Sequence, residues 1–331
     1  MQFYGKVRQL QEGHNTTITI MQGWENFYNF CIAKNLSNQS IEHYELCFRY
    51  FSMFYDVGKP CISIEENTIF EYITHLRTTR KINDTTLNSY LGGIRPMFYY
   101  FMKQGYTYPF QISLVKAVKK VKETYTDHEL AVLLEKPDIN KVTFANYRNW
   151  VLVNYFLGTG NRKSTACNVK IGDIDFDNDV IHLCRTKNRR EQIIPLSSSL
   201  ARILQEYLSY RKGEADDYLF CGVSGEKMAE SSVGLAISRY NKSRGVMKTS
   251  IHLFRHTFAK KWILNGGDVF RLQKILGHSS MEIVKEYVNM FSEDLKRNFD
   301  DFNPLEEFHK GASRKHSVIS PKKQRMKMST C

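Results

Sequence analysis

A chain of 331 residues is long enough for two domains with separate cores, and a 42% share of hydrophobic residues argues against a disordered chain. The net charge of +13 points to a polyanionic partner, because neutralising phosphates releases counterions and that term is large for nucleic acid. No run of about 18 apolar residues exists and the N-terminal MQFYGKVRQLQEGHNTT lacks the apolar core of a signal peptide, which argues against a membrane span or secretion and predicts a cytoplasmic protein.

Residues 1–17 carry no clear period and stay unassigned. From Ile18 to Asn35, apolar residues at Ile20, Trp24, Phe27, Phe30 and Cys31 recur at three- and four-residue steps, as in an amphipathic helix. A second helix opens near Ser37 to Ser40 and carries Tyr44, Cys47, Phe48, Phe51 and Phe54 until Gly58-Lys59-Pro60 stops it. A third is expected from Ile64 to Arg80 and a fourth from Thr85 to Lys103, kinked at Pro96. Residues 18–113 therefore read as a small helical bundle whose aromatics pack inward, with Arg95 as a candidate DNA contact.

The stretch LVKAVKKVKETY, residues 114–125, holds four lysines and reads as a basic interdomain linker that follows a phosphate backbone, with Lys119 and Lys120 as candidate contacts. Thr126 to Glu129 reads as a helix start with an acidic first turn, opening a second domain over 126–308. An apolar helix from Tyr147 to Leu157 delivers Thr159-Gly160-Asn161-Arg162, where glycine permits a sharp turn. Val180 to Cys184 and Gln192 to Leu196 alternate across a hairpin, Pro195 marking an edge strand, with Lys187, Arg189 and Arg190 on the turn between them. Another helix is expected from Ser197 to Arg211.

In the helix after His252, Phe254, Phe258 and Trp262 recur at four and predict one buried stripe, while Arg255 projects from a neighbouring face. Gly266-Gly267 ends that helix, Asp268 caps the next, and Gly277 closes it just before His278. Ser279 and Glu282 then start a short helix that carries Tyr287. Phe291, Leu295, Phe299, Phe302 and Leu305 continue at helical spacing, and residues 309–331 form a basic tail read as disordered.

Arg162, Lys187, His252, Arg255, His278 and Tyr287 combine hydrogen-bond donors and positive charge with one weak nucleophile, the set that attack of a phenol on a phosphodiester requires. Guanidiniums fork onto two phosphoryl oxygens and stay charged at any pH. No carboxylate accompanies the histidines, so no metal ligand set is predicted. The seven cysteines (Cys31, Cys47, Cys61, Cys167, Cys184, Cys221 and Cys331) are scattered and form no C-x-x-C pair, which suits reduced, buried thiols.

The spacing His252-x-x-Arg255, LGH ending at His278, and Tyr287 nine residues later resembles the tyrosine site-specific recombinases, the phage integrase family. TGNR at 159–162 resembles the family's TGxR turn, TKNRREQIIPL at 186–196 its lysine-bearing hairpin, and LGGIRPMFYYF at 91–101 a stretch of its N-terminal domain. The family usually has an acid three residues after the first arginine; here that position is Thr165.

The resemblance implies a mainly α fold with a small β-sheet: an N-terminal helical core-binding domain and a C-terminal α+β catalytic domain. It implies double-stranded DNA as partner and strand exchange through a 3′-phosphotyrosine, with no cofactor and no metal. Arg162 and Arg255 would clamp the scissile phosphate, Lys187 would protonate the leaving 5′ oxygen, and Tyr287 would attack. His252 or His278 would take the phenol proton, with His252 favoured as base and His278 as donor to the phosphate. A homo-tetramer on two DNA sites, with exchange of the C-terminal helix, is also implied. The alternatives are a type IB topoisomerase-like enzyme, a non-catalytic helical DNA-binding protein, and a metal nuclease.

Overall fold

Each helix of the N-terminal half begins at a side chain that satisfies its first amide groups. Helix α1 (Ile20–Ala33) starts at Thr19, whose hydroxyl accepts from the Gln22 amide at 3.2 Å while the Gln22 side chain accepts from the Thr19 amide. Ser37 caps α2 (Asn38–Ser52) and Asn83 caps α4 (Asp84–Lys103), while at the start of α3 (Glu66–Arg80) the Thr68 hydroxyl accepts from the Glu65 amide at 3.3 Å. The helices therefore start a residue or two away from where periodicity alone puts them. A 3-10 turn, Cys61–Ser63, precedes α3, and α4 continues through Pro96 as one helix.

The computed structural model describes residues 18–117, 123–183, 191–277 and 305. Contacts divide the chain into two compact units, Met1–Lys120 and Val121–Cys331.

The first unit is built on aromatic edges. Phe51 is fully buried and meets Tyr72 and Phe98 edge-on at 5.3 and 5.2 Å between ring centroids. Helix α4 packs on α2 closely enough that a Cβ on Gly93 would stand 2.2 Å from the Cys47 sulfur. Glycine at 93 is thus a steric requirement of the helix contact.

In the second unit, α5 (Asp127–Leu134) is followed by α6 (Phe144–Thr159), α7 (Lys163–Ala166), α8 (Ser198–Arg211), α9 (Glu230–Ser243), α10 (Ile251–Leu264) and α11 (Val269–Leu276). Helix α6 is buried on nearly every face and packs against α5, α8, α9 and α10, which makes it the centre of the core. Three antiparallel strands, β1 (Ile174–Asp175), β2 (Val180–Leu183) and β3 (Gln192–Pro195), form a sheet in that order, with Ile181 opposite both Ile174 and Ile194. Pro195 lies on edge strand β3, and β1 adds a strand beyond the predicted hairpin.

The expected single stripe on α10 divides between two cores. Phe254 is fully buried in the main core, whereas Phe258 and Trp262 pack with Ala259, Leu272 and Leu276 in a separate small cluster beneath α11. One turn of helix thus serves α6 and the next serves α11. Cys31, Cys47, Cys61, Cys167 and Cys221 are buried and free, and burial pushes the Cys47 and Cys61 thiols up to about 12. Cys184 and Cys331 lie outside the described residues. Among the described residues no helix is long and apolar enough to cross a membrane.

Adjacent glycines of α4 provide a test of the packing. Gly93→Ala drives a methyl into Cys47 and is expected to destabilise the protein by about 1–3 kcal/mol. Gly92→Ala, with nothing within 4 Å of the added carbon, is expected to stabilise it by roughly 0.5–1 kcal/mol through helix propensity. Urea midpoints check the signs; equal midpoints for the two variants would show that Cys47 yields without cost.

Candidate active site

Helix α6 ends at Thr159, and Gly160 turns the chain in the left-handed region, at φ +63°. The turn is held from within. The Thr159 hydroxyl donates to the Tyr155 carbonyl at 2.7 Å and accepts from the Asn161 amide at 3.2 Å, while the Asn161 side-chain amide donates to the buried Tyr155 hydroxyl at 2.8 Å. Arg162 follows in extended conformation at the start of α7 and is half-buried.

Arg255 is 5% exposed on α10. Its Nη1 donates to the Gly160 carbonyl at 2.9 Å and its Nη2 to the Leu276 carbonyl at 2.7 Å. One guanidinium therefore joins the turn that leads into Arg162 to the helix end that leads into His278. A planar cation with several fixed donors suits this bridge, which a lysine ammonium could not reproduce in the same plane. Two of the donors expected at the phosphate are thus committed to backbone carbonyls, which gives Arg255 a structural duty that the sequence did not reveal.

The same helix end holds the edge strand. Gln192 at the start of β3 donates through Nε2 to the Ile275 carbonyl at 2.8 Å and also to that of Lys274. Gly277 closes α11 with φ +61°, and a Cβ there would stand 2.7 Å from the Gln192 side-chain oxygen. Residues 160, 192 and 276, far apart in sequence, so converge around Arg255 and α11. Neither Gln192 nor the Tyr155–Asn161 pair was picked out by sequence reasoning. A polar residue at the head of an edge strand carries no signal of its own, whereas Asn161 at least lies within the TGNR turn.

His252 lies in the first turn of α10 and is exposed, one turn before Arg255. Lys187, Arg189, Arg190, His278 and Tyr287 lie outside the described residues, as do Lys119 and Lys120 of the basic stretch. Arg95 belongs to the first unit, half-buried on α4 with its guanidinium 5.9 Å from the Tyr99 ring centroid. Thr165, at the position where the resemblance would lead one to expect an acid, is 5% exposed on α7. It carries no charge. Among the described residues, no group of three His, Cys, Asp or Glu side chains is placed to hold a metal ion.

Residues 123–293 match the family model described as "Phage integrase family". The chain is 25% identical over 288 residues to the tyrosine recombinase XerC of Leptospira interrogans serogroup Icterohaemorrhagiae serovar copenhageni, covering 85% of this chain and 92% of that protein. It is 24% identical over 294 residues to the tyrosine recombinase XerD of Listeria monocytogenes serotype 4b, covering 85% and 98%. Among solved structures, the fold is similar to the XerH site-specific recombinase bound to palindromic difH substrate, with a TM-score of 0.66, 22% identity and 80% of each chain covered. It is also similar to a lambda integrase (75–356) dimer bound to a COC′ core site, with a TM-score of 0.64, 15% identity and coverage of 80% and 97%.

The turn before Arg162 provides the test of this geometry. At Gly160 an added methyl would stand 2.7 Å from Phe258 Cδ1 and 2.8 Å from Leu276 Cδ2, in a backbone conformation that costs a non-glycine residue roughly 1–2 kcal/mol. Gly160→Ala is expected to lower the thermal midpoint and to reduce activity further than the loss of folded protein explains. An unchanged midpoint would mean that the turn leaves the left-handed conformation without cost and that α10 and α11 yield around it.

Proposed function

We propose, for a chain that belongs to the phage integrase family, that Tyr287 attacks a DNA phosphodiester and holds the cut strand as a 3′-phosphotyrosine. The chain acts as a site-specific tyrosine recombinase that cuts and rejoins double-stranded DNA. The observation that carries this reading is the Arg255 bridge, which gathers the segments leading to Arg162 and His278 at one place.

The chemistry follows from the residue types. A phenol has a reference pKa of about 10 and needs a base at neutral pH. His252 is in the first turn of the helix that bears Arg255 and takes that proton, while His278 donates to a phosphoryl oxygen. Arg162 and Arg255 stabilise the charge that develops on phosphorus, and Lys187 protonates the departing 5′ oxygen. The bond energy is retained in the phosphotyrosine, so a 5′ hydroxyl from another strand completes the exchange without ATP or a metal ion. In domain terms, residues 18–113 form the core-binding half, 114–125 a basic linker, 126–308 the catalytic half and 309–331 a basic tail. Arg95, Lys119, Lys120, Arg189 and Arg190 supply DNA contacts.

A nicked duplex carrying the target site traps the covalent adduct. Tyr287→Phe is expected to abolish the adduct on a denaturing gel and leave the gel shift intact, since it deletes a nucleophile and no charge. Arg162→Ala is expected to raise the cleavage barrier by about 3 kcal/mol with a smaller effect on affinity. The wild-type adduct is expected to persist in excess EDTA. An adduct formed by Tyr287→Phe, or one that needs a divalent ion, would sink the mechanism.

The active assembly is a tetramer on two DNA sites in which each C-terminal helix packs on a neighbour. Ending the chain before Ser292 is expected to preserve binding to a single site and to abolish the four-subunit complex and recombination. Ending it after Lys310 is expected mainly to weaken affinity in a salt-dependent way. Sedimentation with site DNA checks this: a four-subunit complex formed by the shorter chain would mean that the helix docks on its own subunit.

A further inference from the structure

Arg80, the last residue of α3, is exposed, yet its guanidinium carbon stands 4.0 Å from the centroid of the Tyr50 ring on α2. Tyr50 in turn meets Tyr90 of α4 edge-on at 4.8 Å. Three helices therefore contribute to fixing one solvent-facing cation. An exposed arginine ordinarily samples many rotamers, and stacking on an aromatic face removes that freedom before any ligand arrives. The Arg80 guanidinium also holds the Tyr50 phenol below its usual range through a hydrogen bond, and Arg80 is correspondingly raised.

The surroundings are basic. Arg49 precedes Tyr50 at the end of α2, and Lys81 follows Arg80 with φ +49°; both are exposed. Arg77, a turn earlier, is different: its charge goes to Asp84 at 2.6 Å, across the α3–α4 connection. A structural staple would look like Arg77, a cation matched by a carboxylate. Arg80 instead rests on a ring face beside the Tyr50 and Tyr90 phenols, and the donors it does not direct at those phenols are held in a fixed plane suited to phosphoryl oxygens.

We propose that Arg80, splinted on Tyr50 and flanked by Arg49 and Lys81, is a site of the first unit for the phosphate backbone of duplex DNA. The site rests on the reading that DNA is the partner. It contributes affinity and register without reading sequence, so it is testable with DNA of any sequence.

The probe is a short random-sequence duplex titrated with the full-length chain, followed by fluorescence anisotropy between about 50 and 200 mM salt. Arg80→Gln is expected to lower the slope of log affinity against log salt by about 0.9, the loss of one phosphate contact. Arg80→Lys keeps the slope and loses part of the affinity, because charge remains while the stacked fork does not. Arg202→Gln, which removes an exposed charge from α8, leaves both unchanged. An Arg80→Gln slope equal to wild type, or an equal loss in Arg202→Gln, overturns the site.

Protection of the unmutated protein keeps the test valid should Arg80→Gln fold poorly. The duplex is expected to shield Arg80, and not Arg202, from phenylglyoxal as read by mass spectrometry, and equal reactivity of Arg80 with and without DNA overturns the proposal. Wild-type protein that binds no duplex at all would instead remove the reading of DNA as partner. Persistent binding with an intact slope in Arg80→Gln removes this site alone.

Discussion

The two hydrogen bonds from Arg255 to the carbonyls of Gly160 and Leu276 are the constraint on which the second unit's site depends. Each accepting carbonyl lies at a helix end, where the backbone has acceptors that no intrahelical donor reaches. A guanidinium buried to 5% exposure meets that need with a permanent charge, and charged donors make the stronger hydrogen bonds. The consequence runs in both directions. The helix ends fix the arginine, and the arginine fixes the spacing between the Arg162 turn and the end of α11.

That local bridge is stiff because α6 beneath it is stiff. Tyr155 and Phe156 are fully buried in the main core, one turn before the chain swings through Gly160, so the turn starts from a helix that cannot tilt without disturbing α8, α9 and α10 together. The other side of the bridge is less massive. Leu272 and Leu276 share a small separate cluster with Ala259, Phe258 and Trp262, and the Gln192 side chain adds the tie from β3. Rigidity therefore grades across the site, high on the α6 side and lower on the α11 side, where the chain goes on to His278 and Tyr287.

How much of this was legible in the sequence depends on the range of the interaction. Caps act within four residues, and the Thr126 to Glu129 helix start, Asp268 and Gly277 could be read directly: Thr126 and Glu129 form a capping box, Asp268 accepts from the Arg271 amide at 2.8 Å, and Gly277 adopts the left-handed conformation. Periodicity likewise gave the separate helices and the β2–β3 hairpin, while the mainly helical fold with a small sheet as a whole came from the family resemblance. Long-range partners were not. The Phe254, Phe258 and Trp262 spacing gave the buried face of α10 but not its division between two clusters, since a period carries no information about what stands opposite. Strand β1 is two residues long and offers no alternation to detect. The arginine of His252-x-x-Arg255 could be singled out by its motif, while its anchoring to two carbonyls 95 and 21 residues away could not.

The entry of the chain into the second unit is held by side chains of α9 and α10 and by the segment between them. The Tyr125 amide donates to the Thr257 hydroxyl at 2.9 Å, its phenol donates to the Lys248 carbonyl at 3.2 Å, and that phenol accepts from Asn241 at 2.9 Å. Its ring stands 4.5 Å from Phe254. Burial holds the phenol protonated by pushing its pKa up, so the hydroxyl keeps the proton that it donates. Lys248 closes the arrangement, donating to the Thr124 carbonyl at 3.0 Å and to Glu129 at 2.9 Å. With each hydrogen bond contributing about 1 kcal/mol net, and more where a buried partner would be stranded, residues 124 and 125 cannot leave α10 one contact at a time. The segment by which the chain enters this unit and the helix that carries His252 and Arg255 consequently share one frame, so a displacement of the first is passed to the second instead of being absorbed between them.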